Sequence, residues 1–375
     1  MKKIGLLSVF NEPNYGSMLQ AYALSKAISN MGYDNEYISY SPVRRNGLMR
    51  LVIYFIRLVA SIFKIDIVKQ TEYSFWESKQ FRCQLNLFND FCREYIPHSK
   101  ANYDNRSIYK ANSNYSKYIV GSDQTWSPLV TKDKGCAMFL DFVDDDEKKF
   151  SYAPSIGTLN IPENYKTVLN EKLGRFKFLS CREFHNSLYL KENFHLDVNY
   201  VLDPTFLLEK KEWSDLSIPI DVPERYILCY ILGTKRCISE YAEKLGREKN
   251  IQVFYIVTRP EYVNYKNVLK DVSVQQFLFL LLNASYIVTD SYHGSILSVN
   301  FNKNFYCFSK RENKNGQYCD NDRIIDFLNV VGLTNRFISD NEYRYEADII
   351  YDKVNDRIKE LRNSSTRYLH NILEA

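Results

Sequence analysis

The sequence predicts an α/β fold of two Rossmann-like domains, each a mostly parallel sheet flanked by helices, facing each other across a cleft. Short apolar runs alternate with helix-length segments in both halves of the 375-residue chain, a pattern typical of parallel sheets. Polar residues and glycines follow several of these runs directly, where open α/β sheets bind ligands. The length also exceeds what one core normally supports, so two domains are expected.

The N-terminal domain is predicted over residues 1–208, with a helical insertion at about 48–98. Apolar runs of strand length carry this prediction, and Gly32 suits the end of the first helix. The predicted strands are 4–10, 36–40, 118–120, 150–153, 176–180 and 200–202, and the predicted helices are 18–30, 48–68 and 75–95.

The C-terminal domain is predicted over residues 223–348, after a linker at 209–223, and a C-terminal helix is predicted at 349–375. The same alternation restarts here, with Gly332 as the stop of the last helix of the domain. The predicted strands are 226–232, 253–257, 286–289 and 305–308, and the predicted helices are 238–249, 274–283, 296–301 and 323–331.

Composition and charge narrow the class of function. The net charge of +4, from 49 basic and 45 acidic residues, is too small to indicate nucleic-acid binding. The 30 tyrosines suit contact with sugar faces where they are exposed, although strand propensity explains most of them. No histidine or acidic cluster has the spacing of metal ligands, so no metal and no other cofactor is expected.

The cysteines and the N-terminal residues predict a cytoplasmic protein. Eight cysteines occur without a C-x-x-C pair, and Lys2 and Lys3 lead directly into a strand-like run rather than a signal peptide. We therefore expect reduced thiols and no disulfide framework.

The segment at residues 48–68 is mostly apolar but carries Arg50, Arg57 and Lys64, which share one helical face because they are seven residues apart. Three charges argue against a transmembrane span. Two interpretations stay open: a helix packed on its own domain with the basic stripe in water, and a helix lying at the inner face of the cell membrane.

The strand predicted at 286–289 ends in the most informative stretch of the chain, Thr289-Asp290-Ser291-Tyr292-His293-Gly294-Ser295. The helix that follows presents unpaired N–H groups and a positive dipole end, which suit an anion. His293 is one of five histidines, and Asp290 is a candidate to orient its ring. A single histidine is more often structural, but its place at a strand end favours proton transfer.

Polar residues follow strands in two loops of the N-terminal half as well. In Asn14-Tyr15-Gly16-Ser17, Ser17 is predicted to cap the first helix and Gly16 to permit a tight turn. Because this loop matches no standard phosphate-loop pattern, a simple turn with a cap is the alternative. In the second loop, residues 121–126, Asp123 is a candidate base for a sugar hydroxyl and Trp126 a stacking ring. A capping aspartate beside a buried tryptophan is the alternative.

Arg182 ends a further predicted strand, in Ser180-Cys181-Arg182-Glu183. A guanidinium at a strand end suits a bidentate grip on a carboxylate or phosphate. The alternative is a simple ion pair between Arg182 and Glu183.

These clusters resemble the motifs of the polysaccharide pyruvyl transferase family, in the family's order and over nearly the whole chain. The matching stretches are 14–24, 120–126, 151–157, 180–183, Leu202-Asp203-Pro204-Thr205, 288–294 and Asn321-Asp322-Arg323-Ile324. The resemblance implies two Rossmann-like domains arranged as in GT-B glycosyltransferases. It also implies transfer of a pyruvyl group from phosphoenolpyruvate, as co-substrate, onto two hydroxyls of a sugar in a surface polysaccharide or its lipid-linked precursor. The products would be a cyclic ketal and phosphate.

The resemblance also implies roles for the polar residues at the strand ends. His293 is expected to transfer the proton, Arg182 to bind the donor within the catalytic centre, and Asp123 to act on the acceptor side. Further donor contacts are expected from Ser291, Gly294, Ser295, Asn14, Gly16 and Ser17, and acceptor contacts from Ser122, Gln124, Trp126 and Ser155.

The chain departs from well-known members of the family at the histidine motif. Those members carry Arg-Leu-His, and their Arg helps to bind the donor, whereas this chain has Ser291-Tyr292-His293. Lys310, Arg311 and Arg323 are candidates to supply the positive charge from nearby loops.

Two rival functions stay open. A GT-B-type nucleotide-sugar glycosyltransferase would use the same cleft and the same phosphate-binding helix end. A non-catalytic sugar-binding subunit of polysaccharide assembly would need no catalytic histidine. The joint presence of His293, Arg182 and Asp123 at strand ends favours an enzyme.

Overall fold

The computed structural model describes residues 2–42, 82–128, 131, 135–158, 160–233, 235–258, 265–310, 322–339 and 342–375. The segment at 48–68 with its basic stripe lies outside the described residues, and so does Arg311. Within the described ranges no helix combines the length and the apolar character needed to cross a membrane.

Five parallel strands form the sheet of the N-terminal half: β1 (Ile4–Leu7), β2 (Asn35–Tyr40), β3 (His98–Tyr103), β4 (Lys117–Val120) and β5 (Lys149–Ser151). Their order is β3-β2-β1-β4-β5, with every neighbouring pair parallel. All residues of β1 are buried, as expected for a strand covered on both faces. The strand order reverses between β1 and β4, the point beyond which doubly wound sheets bind ligands.

Helices and a short extension complete this half. β6 (Leu179–Cys181) pairs in parallel with β7 (Val198–Tyr200), and a bridge from Phe150 to Phe178 joins this pair to the edge of the sheet at β5. The helices are α1 (Tyr15–Asn30), α2 (Arg82–Tyr95), α3 (Glu163–Leu173) and α4 (Phe184–Phe194).

The C-terminal half holds a second parallel sheet of β8 (Tyr226–Ile231), β9 (Gln252–Val257), β10 (Tyr286–Thr289), β11 (Asn304–Phe308) and β12 (Phe337–Ile338). Their order is β12-β11-β10-β8-β9, so this sheet reverses between β10 and β8. Its helices are α5 (Lys210–Leu216), α6 (Arg236–Lys249), α7 (Val274–Asn283), α8 (Tyr292–Asn300), α9 (Asp322–Val331) and α10 (Asp352–Glu374).

Among the contacts that join the two halves, two involve helix N-termini of the N-terminal half. The Tyr15 ring at the start of α1 stacks on Phe277 of α7 at 4.2 Å between centroids, and its hydroxyl donates to the Val272 carbonyl at 2.8 Å. Asp326 of α9 accepts hydrogen bonds from the first two N–H groups of α4, at 2.7 and 3.0 Å. The α4 N-terminus of one half is therefore capped by a carboxylate of the other.

The helix α10 returns to the N-terminal half and closes the fold. The Ser365 hydroxyl accepts a hydrogen bond from the Leu202 N–H at 2.9 Å, and the Tyr368 hydroxyl donates to the Ser151 carbonyl at 3.0 Å. Ser365 and Tyr368 are both buried. These bonds tie α10 to the carboxyl ends of β5 and β7, which are the ends that carry the candidate site.

The predicted fold class, mostly parallel sheets flanked by helices, is confirmed. The elements differ from the prediction in several places. The predicted linker at 209–223 contains α5, in which Glu209 and Glu212 cap the helix reciprocally, and the helices α3 and α4 were not predicted. β3 was missed because its sequence is polar and mostly exposed, and β12 because it has only two residues.

The starts of two helices also differ from the prediction, and both differences bear on the site. α1 is capped by Asn14 rather than by Ser17, so Gly16 and Ser17 lie in its first turn. α8 begins at Tyr292 rather than at residue 296, which places His293 in its first turn.

Replacing Ser365 by Ala should lower the free energy of unfolding by about 1–3 kcal/mol, because it leaves the buried N–H of Leu202 without a partner. Urea unfolding followed by circular dichroism measures the change. Ser364→Ala, on the exposed face of the same helix, is the matched control and should be near neutral. Equal stability of the two variants would contradict the tie between α10 and β7.

Candidate functional site

Two helix N-termini, one from each sheet, meet at a contact between Gly16 and His293. Asn14 caps α1 by accepting a hydrogen bond from the Ser17 N–H at 3.2 Å, and Ser291 caps α8 by accepting from the Gly294 N–H at 3.2 Å. α1 follows β1 and α8 follows β10, the strands beside the two reversal points. The positive ends of both helix dipoles therefore lie side by side.

Gly16 is required for this close approach. A Cβ on Gly16 would lie 2.2 Å from Nδ1 of His293 and 2.4 Å from its Cγ, far inside van der Waals contact. Gly16 has no positive φ, so its value here is the space it leaves rather than an unusual backbone conformation. Only 10% of the His293 side chain is exposed.

The carboxylate beside His293 is Asp203, not Asp290 as the sequence suggested. Both oxygens of Asp290 accept backbone N–H groups, from Leu232 at 2.7 Å and from Gly233 at 2.6 Å, which fix the loop after β8. Burial raises the pKa of Asp290 to about 6, and these two hydrogen bonds oppose that rise. Asp290 therefore stabilises the backbone of the loop after β8. Oδ2 of Asp203, in contrast, lies 3.6 Å from Nε2 of His293.

Asp203 accepts hydrogen bonds from residues that follow three different strands. Its Oδ2 accepts from Nη1 of Arg182 at 2.8 Å and from the Ser122 hydroxyl at 2.9 Å, and its Oδ1 accepts from the N–H and hydroxyl of Thr205 at 3.0 and 2.9 Å. Burial alone would raise the pKa of Asp203. The contact with His293 and the Arg182 charge outweigh burial and hold that pKa well below its ordinary value.

Arg182 lies behind the ring of Tyr292, at 4.2 Å from its guanidinium carbon to the ring centroid, and its side chain has no exposed surface. Its Nε is 3.6 Å from a carboxylate oxygen of Glu183. Among the described residues, Nε and Nη2 of Arg182 have no hydrogen-bond partner, and neither has Nε2 of His293. Buried polar groups of this kind cost about 1–3 kcal/mol each and need an explanation.

Asp123 lies on the other side of the contact between Gly16 and His293. Its Oδ2 accepts from the Ser17 hydroxyl at 2.6 Å, and its backbone has φ 76°, a left-handed conformation that aspartate tolerates. Burial would raise its pKa, but the charges of His293 and Arg182 and the Ser17 hydrogen bond outweigh burial, so the pKa is lowered. With its amide oxygen turned toward Arg323, Gln124 accepts from Nη1 at 3.2 Å and Nη2 at 2.6 Å.

Several candidate residues have a structural role, because their polar atoms are hydrogen-bonded within the protein. The Trp126 ring is fully buried and its Nε1 donates to the Met138 carbonyl at 3.0 Å, so it offers no free face for stacking on a sugar. The Ser155 hydroxyl accepts from the Gly157 N–H at 3.0 Å, and the Ser295 hydroxyl donates within α8 to the Ser291 carbonyl at 2.9 Å. Both serines are fully buried.

Sequence reasoning assigned no role to Asp203 or to Tyr292, although both lie in stretches that match the family. Asp203 follows the predicted strand at 200–202 and precedes a proline. A position directly after a strand is also what made Arg182 a candidate. The Tyr292 ring contacts two guanidiniums, with the guanidinium carbons of Arg182 and Arg323 at 4.2 and 5.3 Å from the ring centroid. The contacts of Asp203 with His293 and of Arg182 with Tyr292 each join the two halves, so sequence spacing does not reveal them.

The fold and the site define an α/β protein whose two sheets bring a histidine, two arginines and three carboxylates to facing helix N-termini. The model of the polysaccharide pyruvyl transferase family matches residues 14–310 of the chain. The chain therefore belongs to the polysaccharide pyruvyl transferase family, a family of transferases that act on polysaccharide. A comparison with curated proteins gave no match.

Solved structures resemble the chain only distantly. UDP-GlcNAc 2-epimerase from Neisseria meningitidis, bound to UDP-GlcNAc, is 10% identical over 100% of this chain and 99% of the epimerase, with a TM-score of 0.48. The Methanocaldococcus jannaschii enzyme of the same name is 12% identical over 100% and 99%, with a TM-score of 0.47. The wall teichoic acid polymerase TagF is 12% identical over 99% of this chain and 88% of its own, with a TM-score of 0.46.

Gly16→Ala should displace the His293 ring, because the new methyl group would occupy the place of Nδ1. Alanine favours the helix itself, so α1 should persist. Two-dimensional NMR of 15N-labelled histidine, with His293→Ala to assign the signal, should show that the His293 resonances move most.

The matched control is Gly174→Ala at the end of α3, where the nearest atom to a new Cβ would be 3.4 Å away. It should leave all histidine signals in place. A Gly16→Ala spectrum that coincides with the wild type would contradict the contact.

Proposed function

We propose that the protein transfers a pyruvyl group from phosphoenolpyruvate onto two hydroxyls of a sugar in a surface polysaccharide or its lipid-linked precursor, forming a cyclic ketal and releasing phosphate. The observation that carries this proposal is the contact of two helix N-termini at Gly16 and His293, beside the buried guanidinium of Arg182. Such a place favours a small ligand with more than one negative charge.

Phosphoenolpyruvate has two anionic groups, a phosphate and a carboxylate, and the site offers two kinds of partner. The side-chain caps occupy the N–H groups of Ser17 and Gly294, so the N–H groups of the two residues before them in each helix, at 15–16 and 292–293, are the ones that suit the phosphate. The hydroxyls of Ser291 and Ser295 already bond within α8, so we assign the contribution of that helix to its backbone. The guanidinium of Arg323 suits the carboxylate, and the buried guanidinium of Arg182 adds its positive charge from behind the Tyr292 ring.

His293 and Asp123 supply the proton transfers in this proposal. Protonated His293 gives its proton to the methylene carbon of phosphoenolpyruvate, which leaves an oxocarbenium-like centre at the adjacent carbon. A sugar hydroxyl adds there and loses its proton to Asp123, which returns it to His293. The second hydroxyl then displaces phosphate, and its proton leaves with the phosphate. Atoms and charge balance without an oxidant, a metal or a further reactant.

The acceptor is assigned to the side of the site that carries Asp123. Asp123 and Gln124 are half-buried and follow β4 at its carboxyl end. Ser122 is fully buried and donates to Asp203, so its role is to support the site rather than to contact a sugar. Because the Trp126 ring is enclosed by the core, hydrogen bonds rather than stacking would recognise the sugar on this side.

The proposal is tested by release of phosphate from phosphoenolpyruvate, with purified protein and a panel of galactosyl and N-acetylhexosaminyl glycosides. Release should require an acceptor, and His293→Ala should lower kcat by at least about 100-fold, because a general acid commonly contributes that much. His370→Ala, which removes an exposed histidine of α10, should keep wild-type activity.

No release with any acceptor, together with no thermal shift of the wild type on adding phosphoenolpyruvate, would refute pyruvyl transfer. Nucleotide sugars would then be tested in the same thermal-shift assay, since the rival glycosyltransferase would bind them in preference.

Arg323→Gln should raise the KM for phosphoenolpyruvate by about 10–100-fold and change kcat less, because it removes charge-assisted hydrogen bonds worth about 1.5–3 kcal/mol. Steady-state kinetics of phosphate release measure both constants. Arg367→Gln, at an exposed position of α10, is the control for loss of an arginine. An unchanged KM for phosphoenolpyruvate in a folded Arg323→Gln would show that another group supplies the charge.

A further inference from the structure

We propose that Asp203 is the positioning residue for His293. Its carboxylate holds the imidazole with the Nε2 hydrogen directed at Oδ2, which leaves Nδ1, beside Gly16 and the start of α1, as the nitrogen that meets the ligand. The consequence for catalysis rests on the proposed function, but the positioning itself does not.

The first argument is that the other carboxylates near His293 are engaged elsewhere. Both oxygens of Asp290 accept backbone N–H groups. Asp123 accepts from the Ser17 hydroxyl with one oxygen and from the Gln124 N–H with the other, at 2.6 and 2.8 Å. The carboxylate oxygen close to Nε2 is Oδ2 of Asp203, at 3.6 Å.

The second argument is that Asp203 is itself held firmly. Its four short hydrogen bonds come from Thr205, from Ser122 at the end of β4 and from Arg182 at the end of β6. Its side chain has no exposed surface, so water does not compete for the carboxylate. A rigid carboxylate fixes both the tautomer and the orientation of a neighbouring imidazole.

The third argument is the balance of charge. Asp123, Asp203 and Glu183 bring three carboxylates to this cluster, and Arg182 and Arg323 bring two guanidiniums. Carboxylates therefore outnumber guanidiniums by one in this cluster. Nε2 of His293, which has no hydrogen-bond partner among the described residues, is the atom that faces one of those carboxylates, Asp203. A small turn of the ring would convert this contact into a charge-assisted hydrogen bond.

In the proposed reaction the arrangement decides which nitrogen reacts. Nδ1 gives its proton to the methylene carbon, and the ring stays neutral with its hydrogen on Nε2. The ring regains a proton at Nδ1 from Asp123 after the first hydroxyl has added. Asp203 forms and breaks no bond to substrate, so its effect on proton transfer should fall on kcat. Because it also holds Arg182, whose charge serves the donor, a smaller change in KM should accompany it.

A measurement without substrate tests the positioning directly. In protein with 15N-labelled histidine at about pH 9, where an ordinary imidazole is neutral, the nitrogen shifts of wild-type His293 should report hydrogen on Nε2. The signal is assigned with His293→Ala. In Asp203→Asn the shifts should move toward a mixture of the two tautomers.

The matched control is Asp104→Asn. Asp104 also caps a turn by accepting a backbone N–H and a hydroxyl, here of Ser107 at 2.9 and 2.7 Å, but it lies on the loop after β3. It should leave the His293 signal unchanged. Hydrogen on Nδ1 in the wild type would overturn the proposal, and so would a folded Asp203→Asn with unchanged shifts. If Asp203→Asn does not fold, the wild-type tautomer alone decides.

Kinetics give the second readout. Asp203→Asn should lower kcat for phosphate release by about 10–100-fold, the range seen when a carboxylate that orients a metal-binding histidine is lost. The KM for phosphoenolpyruvate should change less than kcat, through the bond from Asp203 to Arg182. A wild type without activity would refute pyruvyl transfer and leave the tautomer to decide the role of Asp203. An active wild type with an equally active Asp203→Asn would refute the role of Asp203 alone.

Discussion

The buried carboxylate of Asp203 is the interaction on which the site depends. An ionised group with no exposed surface is costly unless donors surround it, and here the donors come from the ends of different strands. Ser122 follows β4, Arg182 follows β6, and Thr205 lies just beyond Asp203 itself. Because all of these groups satisfy one carboxylate, the carboxyl ends of the first sheet are fixed relative to one another. His293 then adds the second sheet to the same centre.

The charges of the site explain why the two halves can meet there. Two helix N-termini with like dipole ends oppose each other at short distance, and two guanidiniums lie close to them. Asp123, Asp203 and Glu183 compensate, but each is already engaged with a donor or an ion-pair partner. The N–H groups of the first two residues of each helix, which the capping hydrogen bonds at Ser17 and Gly294 do not occupy, are what remains for an incoming anion. A doubly anionic ligand would therefore stabilise the closed contact between α1 and α8.

Sequence patterns predicted the sheets well and the side-chain partners poorly. The positions of His293, Arg182 and Asp123 after predicted strands singled these residues out, and the structure brings their side chains close together, because parallel strands present their carboxyl ends at one edge of a sheet. The partner of His293 was wrong, because Asp290 is three residues away in sequence whereas Asp203 arrives from the other half of the chain. Trp126 shows the same limit: a ring in a polar loop looks available, but the core formed with Phe139 and Phe176 encloses it. Side-chain contacts that form by packing between the two halves produce no periodic pattern in the sequence.

The two residues before His293 have separate structural roles, a helix cap at Ser291 and a cation–π contact at Tyr292. Ser291 uses its hydroxyl to cap α8, a role that an arginine at that position could not fill. The Tyr292 ring then contacts two guanidiniums, Arg182 at 4.2 Å and Arg323 at 5.3 Å, and such cation–π contacts are worth most when the partners are desolvated. Arg323 of α9 thus brings a guanidinium to the N-terminal turn of α8, where the Tyr292 ring contacts it while Ser291 caps the helix.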